Sequence, residues 1–300
     1  MLNCSMGITA YNEEANIGQL LEALQKQRLV NVSIDEIIVV ASGCTNGTVK
    51  IVKNYKMKDK KVKLLIQEKR EGKASAINLF IKSAKTDLLV LECGDTLPYE
   101  DTVEHLVSPF SDSRIGMTSA HILPVNKTET FMGFYVNLFW KLHHQIATRS
   151  FKGGEMVAFR KVIEGIPSDT ATDETWIALL LKEKGYKLLY VPEARVRNRG
   201  PESITDFLKV RRRQLIGYLH LKHLWPSAEL PETMNNLLVL KLLLKETKWN
   251  LRSTLFTLGA VGLELLGRIL ATYDWYLRKH NPYIWEIAPS TKTITKQCLR

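Results

Sequence analysis

Three hundred residues with 45% hydrophobic content are enough for one large α/β domain with an appendage, or for two modest domains, and exclude a disordered chain. A formal charge of +11 favours anionic partners: a nucleotide diphosphate, a nucleic acid or an anionic membrane surface. Cys4, Cys44, Cys93 and Cys298 show no C-x-x-C spacing, so neither a zinc site nor a disulfide framework is expected, and a reducing, cytoplasmic compartment fits.

Residues 1–11 carry no basic segment followed by a long apolar run, so no signal peptide is expected. Short apolar runs at 6–10, 36–41, 62–67 and 87–91 read as strands. The amphipathic stretches 14–27, 47–55 and 73–83 between them read as helices, with Leu20, Leu21 and Leu24 as an inward stripe on the first. This alternation predicts a mainly parallel sheet covered by helices. Further on, 131–148 reads as an aromatic-rich helix, 155–159 as a strand, and 173–184 as a helix with Gly185 as its C-cap. A last strand at 187–191 is expected to stop at Pro192.

After Gly200-Pro201 the composition changes, which sets an expected domain boundary near residue 200. A basic helix at 203–221 precedes a break at Pro226 and Pro231, two apolar helices, and a polar tail from Pro289 that is expected to be loosely held. The apolar run 254–271 is interrupted by Glu264 and Arg268, which read as a surface i,i+4 ion pair. That interruption predicts a buried amphipathic or interfacial helix rather than a spanning one, and Tyr273, Trp275 and Tyr276 suit an interface.

Several polar segments sit at the ends of these elements. Taken singly each has a plain reading: Asn12-Glu13-Glu14 as an acidic helix start, Asp95 as a turn residue, Asp173-Glu174 as a cap with a first-turn carboxylate. Taken together, in order, GITAYNEE at 7–14, EIIVVASGCTNGT at 36–48, KREGKASAIN at 69–78, LLVLECGDTLP at 88–98 and GEMVAFR at 154–160 followed by Thr172-Asp173-Glu174 resemble the blocks of family 2 glycosyltransferases. The resemblance covers about residues 5–200 and implies a GT-A type, Rossmann-like fold with a helical C-terminal extension.

The resemblance also implies roles. Ala10, Tyr11, Asn12, Glu13 and Ser42 would line the nucleoside pocket, and Arg70 and Lys73 would approach the base or the phosphates. Asp95 would hold a divalent cation, Mg²⁺ or Mn²⁺, on the diphosphate of a nucleotide-sugar donor. Glu174, with Asp173 as the competing assignment, would deprotonate an acceptor hydroxyl in an inverting single displacement. Arg212 and Arg213 stand where polymerising relatives read QxxRW, but Val210 and Gln214 replace the Gln and Trp, which argues against a processive synthase. Arginines there suit diphosphate or an anionic acceptor; His220 and His223 are left out of the metal site.

Departures from the pattern bear on chemistry. Ala41 and Ser42 replace two acidic residues, removing a carboxylate contact to the base, and Cys93 replaces the first Asp of the metal motif. These gaps motivate a second reading, a non-catalytic sugar-nucleotide-binding or scaffold protein; a third, a nucleotidyltransferase, can share the same sheet architecture, but the basic Gly-rich loop expected after its first strand is missing. The acceptor is unassigned. A lipid-linked one at the inner face of a membrane, reached by the basic and apolar C-terminal helices, is preferred to nucleic acid, and a homo-oligomer stays open.

Overall fold

Continuous apolar runs are what a parallel strand covered on both faces requires, and they organise the chain into one eight-stranded sheet. The structure, a computed structural model, describes residues 1–292 and residue 294; Cys298 lies outside the described residues. In chain order the elements are β1 (Leu2–Ala10), α1 (Ile17–Gln25), β2 (Val32–Ser42), α2 (Thr48–Lys58), β3 (Val62–Gln67), α3 (Lys73–Ser83), β4 (Leu88–Cys93), β5 (Thr96–Pro98) and α4 (Thr102–Val107). There follow β6 (Ile115–Pro124), α5 (Phe131–Ala147), β7 (Met156–Arg160), α6 (Asp173–Glu183), β8 (Lys187–Asn198), α7 (Ile204–Leu224), α8 (Asn236–Glu246) and α9 (Leu251–Tyr276).

The strand order is β3-β2-β1-β4-β7-β6-β8-β5. The first four strands are parallel, β7 runs antiparallel between β4 and β6, and β6 and β8 are parallel to each other. Alternate side chains of each strand serve opposite faces. Ile37 and Val39 of β2 and Leu88 and Val90 of β4 pack with α1, α2 and α4, whereas Ile38, Val40, Leu89 and Leu91 pack with α3 and α6. Because β2 and β4 flank β1 on opposite sides, the chain reverses its winding there, and a crevice opens beyond the carboxyl ends of β1 and β4.

Three findings differ from the sequence reading. β8 runs through Pro192 to Asn198: Val191 pairs with Ala120 and Arg195 with His121, so Pro192 falls in a bulge where its missing N–H is not needed. β5, α4 and β6 lie in a stretch whose pattern predicted no element, and β6 is held by tertiary pairing to β7 and β8 rather than by any clean alternation of its own. Glu264 does not form a surface pair. It bridges Arg268 at 3.0 Å on its own helix and Arg211 of α7 at 2.6 Å, inside the α7–α9 contact.

The described part of the tail also departs from the expectation that it is loosely held. Ser290 donates from its N–H and its hydroxyl to Asp206, at 3.0 and 2.6 Å, and Lys292 is half-buried against the turns that follow β1 and β4. Gly185 does cap α6: at φ +83° its N–H reaches the Lys182 carbonyl while Tyr186 reaches that of Leu181, the paired bonds of a left-handed helix end.

Two outcomes test this packing. Phe80 has no exposed surface in the layer beneath α3, and Phe80→Ala is expected to cost about 3–5 kcal/mol in denaturant unfolding. Burial, with Lys152 nearby, pushes the His143 imidazole down to about 3, and the neutral ring donates to the Gly153 carbonyl at 3.3 Å. A depressed folded-state value means the stability His143 confers is complete above its ordinary 6.5 and is lost as pH falls toward about 3. The melting temperature of His143→Gln should therefore fall less steeply across that window than that of the wild-type protein.

Candidate active site

A cavity of about 650 Å³ fills the crevice beyond β1 and β4 and continues between α5, α7, α8 and α9. Ala10, Tyr11, Glu13, Ser42, Arg70, Lys73, Asp95, Asp173, Glu174 and Arg213 all line it. The Arg70 guanidinium lies over the Tyr11 ring at 3.9 Å, making a cationic, aromatic wall beside the end of β2. Two of the sequence candidates turn elsewhere. Asn12, at φ +56°, accepts from the Thr45 N–H at 2.8 Å and ties the β1–α1 turn to the β2–α2 turn. Arg212 faces α9, where its Nε bonds Asp274 at 2.8 Å, because the helical spacing that turns Arg213 inward turns its neighbour away.

Asp95 is brought to Glu13 by the tight turn after β4. A side chain on Gly94 would meet Glu13 at 2.9 Å and the Thr9 carbonyl at 3.1 Å, so only glycine lets the two carboxylates approach. Between them sits the Lys292 ammonium, bonded to Glu13 and, at 2.9 Å, to Asp95. Burial and the Asp95 charge push Glu13 up to about 7 despite that lysine. Burial acts upward on Asp95 as well, but Lys292 and Lys73 outweigh it and hold Asp95 below the usual carboxylate range. Glu92, the neighbour on β4, points to the other side, where it is fully buried and accepts from Thr96.

The second acidic pair opens α6, where first-turn carboxylates are favoured by the helix dipole. Lys73, the first residue of α3, reaches across to lie 2.6 Å from Asp173 and 3.0 Å from Glu174. Burial raises Asp173, and the adjoining Glu174 charge adds to the rise. Glu174 moves the other way: against burial, Lys73 and then Lys152 hold it below the ordinary value. Lys73 and Lys152 thus favour the ionised form of Glu174, whereas burial and the Glu174 charge disfavour that of Asp173. Lys73 itself stays charged, since these acids outweigh its burial.

Lys152, Glu155, Tyr218, Trp285 and Lys292 also line the cavity and were not singled out from sequence. Glu155 lies in the GEMVAFR block, where its burial beside Cys93 and Lys73 was open to inference. Trp285 and Lys292 lie far along the chain, in segments with no periodicity to flag them.

Whether a divalent cation suits this site can be tested on the residues present. The ammonium of Lys292 shows that Glu13 and Asp95 together address one positive centre with hard oxygen donors. Among the described residues no group of three His, Cys, Asp or Glu forms a cage. The two carboxylates therefore fit a cation that takes its remaining ligands from substrate phosphates and water, as Mg²⁺ commonly does.

Comparison with known proteins identifies the fold and the family. The chain is 27% identical over 118 residues to the glycosyltransferase AglE of Haloferax volcanii, covering 39% of this chain and 38% of that one. It is 26% identical over 132 residues to the glycosyltransferase GlyG of Streptococcus pneumoniae, covering 44% and 43%. The chain thus spans about two fifths of the length of the curated relatives it matches. Among solved structures it shares its fold with the mannosyltransferase PcManGT of Pyrobaculum calidifontis, determined with GDP-Man and Mn²⁺, at a TM-score of 0.59 and 22% identity over 93% of this chain and 81% of that one. The architecture is that of the GT-A glycosyltransferases. The model of glycosyl transferase family 2 matches residues 5–161 and that of glycosyl transferase family group 2 matches residues 94–291, so the chain belongs to glycosyltransferase family 2.

Proposed function

We propose that this protein transfers a sugar from a nucleotide-diphosphate donor to a hydroxyl acceptor, with inversion at the anomeric carbon. The observation that carries the reading is that Asp95 and Glu174, separated by 79 positions (174 − 95), line one cavity and are each held by a lysine. In this reading Tyr11, Ser42 and Arg70 take the nucleoside, and Arg213 answers the diphosphate. Glu174 accepts the proton of the acceptor hydroxyl as its oxygen attacks, and Lys73 keeps that carboxylate ionised and aimed. Asp95 and Glu13 would hold Mg²⁺ or Mn²⁺, which when bound neutralises charge developing on the leaving diphosphate. The presence of Mn²⁺ and GDP-Man in the PcManGT structure supports a cation and a nucleotide sugar here. Residues 1–200 would form the catalytic unit and 201–300 an extension that closes its cavity.

The same reading covers the acceptor. Away from the acids, the cavity is walled by Phe139, Leu240, Leu243, Val261 and Leu265, which suits an apolar chain. α9 is long and apolar enough to cross a membrane by length and composition. Its polarity is inverted for a helix in water: Glu264 and Asp274 turn inward to Arg211 and Arg212, while Leu251, Leu255, Leu258, Leu265 and Ile269 are more than half exposed. Lys241 and Lys245 of α8 and Arg252 of α9 are exposed. These features support an interfacial helix pair resting on anionic lipid at the cytoplasmic face of a membrane and a lipid-linked acceptor that enters from it.

Two experiments test the proposal. With a panel of nucleotide sugars, Glu174→Gln should lower kcat by roughly 10²–10⁴-fold with KM little changed, while Asp173→Asn retains most turnover; the reverse pattern would move the base to Asp173. Co-sedimentation should recover the wild-type protein with vesicles containing phosphatidylserine and lose it for Leu255→Glu/Ile269→Glu. Equal recovery of both would remove the membrane assignment.

A further inference from the structure

After α9 the chain does not leave the molecule but crosses the mouth of the cavity. Asn281 donates to the Asp169 carbonyl at 2.9 Å, and the Trp285 carbonyl accepts from Arg70 while its ring lies 4.0 Å from the Arg213 guanidinium. Ser290 is fastened to Asp206, and the segment ends with Lys292 between Glu13 and Asp95. Beyond it, Ile294 is buried and exchanges hydrogen bonds with Asn16 and Gln19. Among the described residues of 281–292 the regular structure is one 3₁₀ turn, Pro289–Thr291, and the hydrogen bonds of Asn281, Trp285, Ser290 and Lys292 fasten the rest.

Those fastenings fall on the residues assigned above to the donor. Arg70, Arg213, Glu13 and Asp95 each give a hydrogen bond or a stacking face to the tail, and the space the tail fills against them is the space a donor would need. At Glu13 and Asp95 the exclusion is electrostatic as well as steric. A lysine ammonium is a compact point charge on a flexible stem, and where it bonds both carboxylates no metal ion can use the same oxygens.

We propose that residues 281–292 form a strap that competes with the metal-bound donor, with Lys292 standing in for the divalent cation on Glu13 and Asp95. Binding of the cation then requires Lys292 to withdraw, and withdrawal of Lys292 frees Arg70 and Arg213 by loosening the turn that carries Trp285. The coupling is reciprocal: whatever the strap takes from cation affinity, the cation takes from strap docking. This inference rests on the assignment of a cation to Asp95, but its test needs no turnover, so a failure of the transferase reading and a failure of the strap are told apart.

The probe is Mn²⁺ alone, with free ion counted by electron paramagnetic resonance, on the full chain and on Lys292→Ala and Lys292→Met. Thermal melts establish that both variants are folded, and the Met variant keeps most of the stem. Both should bind Mn²⁺ about tenfold more tightly than the wild type, within the range usual for coupled sites. Mn²⁺ should also speed amide hydrogen exchange in 281–292 of the wild type. Equal affinities, weaker binding in the variants, no binding in any of the three proteins, or exchange in the strap that does not respond to Mn²⁺ would each overturn the proposal. Weaker binding would identify Lys292 instead as a group that stays and assists the diphosphate.

Discussion

Two pairs of carboxylates held in one crevice, each pair shared by a single ammonium, are the constraint around which the rest of the molecule is arranged. Isolated buried charges would be expelled or neutralised, so Glu13 with Asp95 and Asp173 with Glu174 persist because Lys292 and Lys73 lie within ion-pair distance of both members. Such pairs add little net stability, because desolvation offsets most of the attraction. Their value is positional. The sheet brings Asp95 to the end of β4, α6 presents Glu174 from its first turn, and α3 begins at the residue that reaches across.

Where local pattern and tertiary role coincide, the sequence was readable. The runs that became β1, β2 and β4 are rich in apolar residues because both faces of the sheet are covered there, and α3 and α6 begin within the polar blocks, at Lys73 and Asp173. Arg70, Lys73, Asp95 and Glu174 were singled out through the ordered resemblance to family 2 glycosyltransferases rather than by local pattern, and all four line the one cavity. Arg212 was not separable from Arg213 in a run of three arginines. Only the packing of α7 on α9 shows that one meets Asp274 while the next turns to the cavity. β6 and the continuation of β8 past Pro192 were hidden because pairing, not alternation, holds them.

The C-terminal helices illustrate a different limit. From composition, a pair of charges in an apolar helix reads as its wet face, and Glu264 with Arg268 was so read. In the folded chain the charges face inward to Arg211 and the leucines face out. One helical period describes both arrangements equally well, since periodicity reports that two faces differ and not which of them is covered. The direction is set by α7, whose Arg211 and Arg212 pair with Glu264 and Asp274 on α9.

The two lysines differ in how they are held, and that difference matches the chemistry asked of each end of the cavity. Lys73 belongs to α3, whose Ile77 and Phe80 are buried against the sheet, so its charge is fixed relative to Glu174. The proton acceptor proposed for Glu174 would need that: its ionisation and aim must not change while substrates come and go. Lys292 is carried by a segment fastened mostly through polar contacts, each of which water or a phosphate can replace at small net cost. In the proposed reaction, a charge at the leaving-group end would have to yield to an incoming diphosphate and return after it departs. A tightly packed helix could not do so without disturbing the sheet, whereas a strap can.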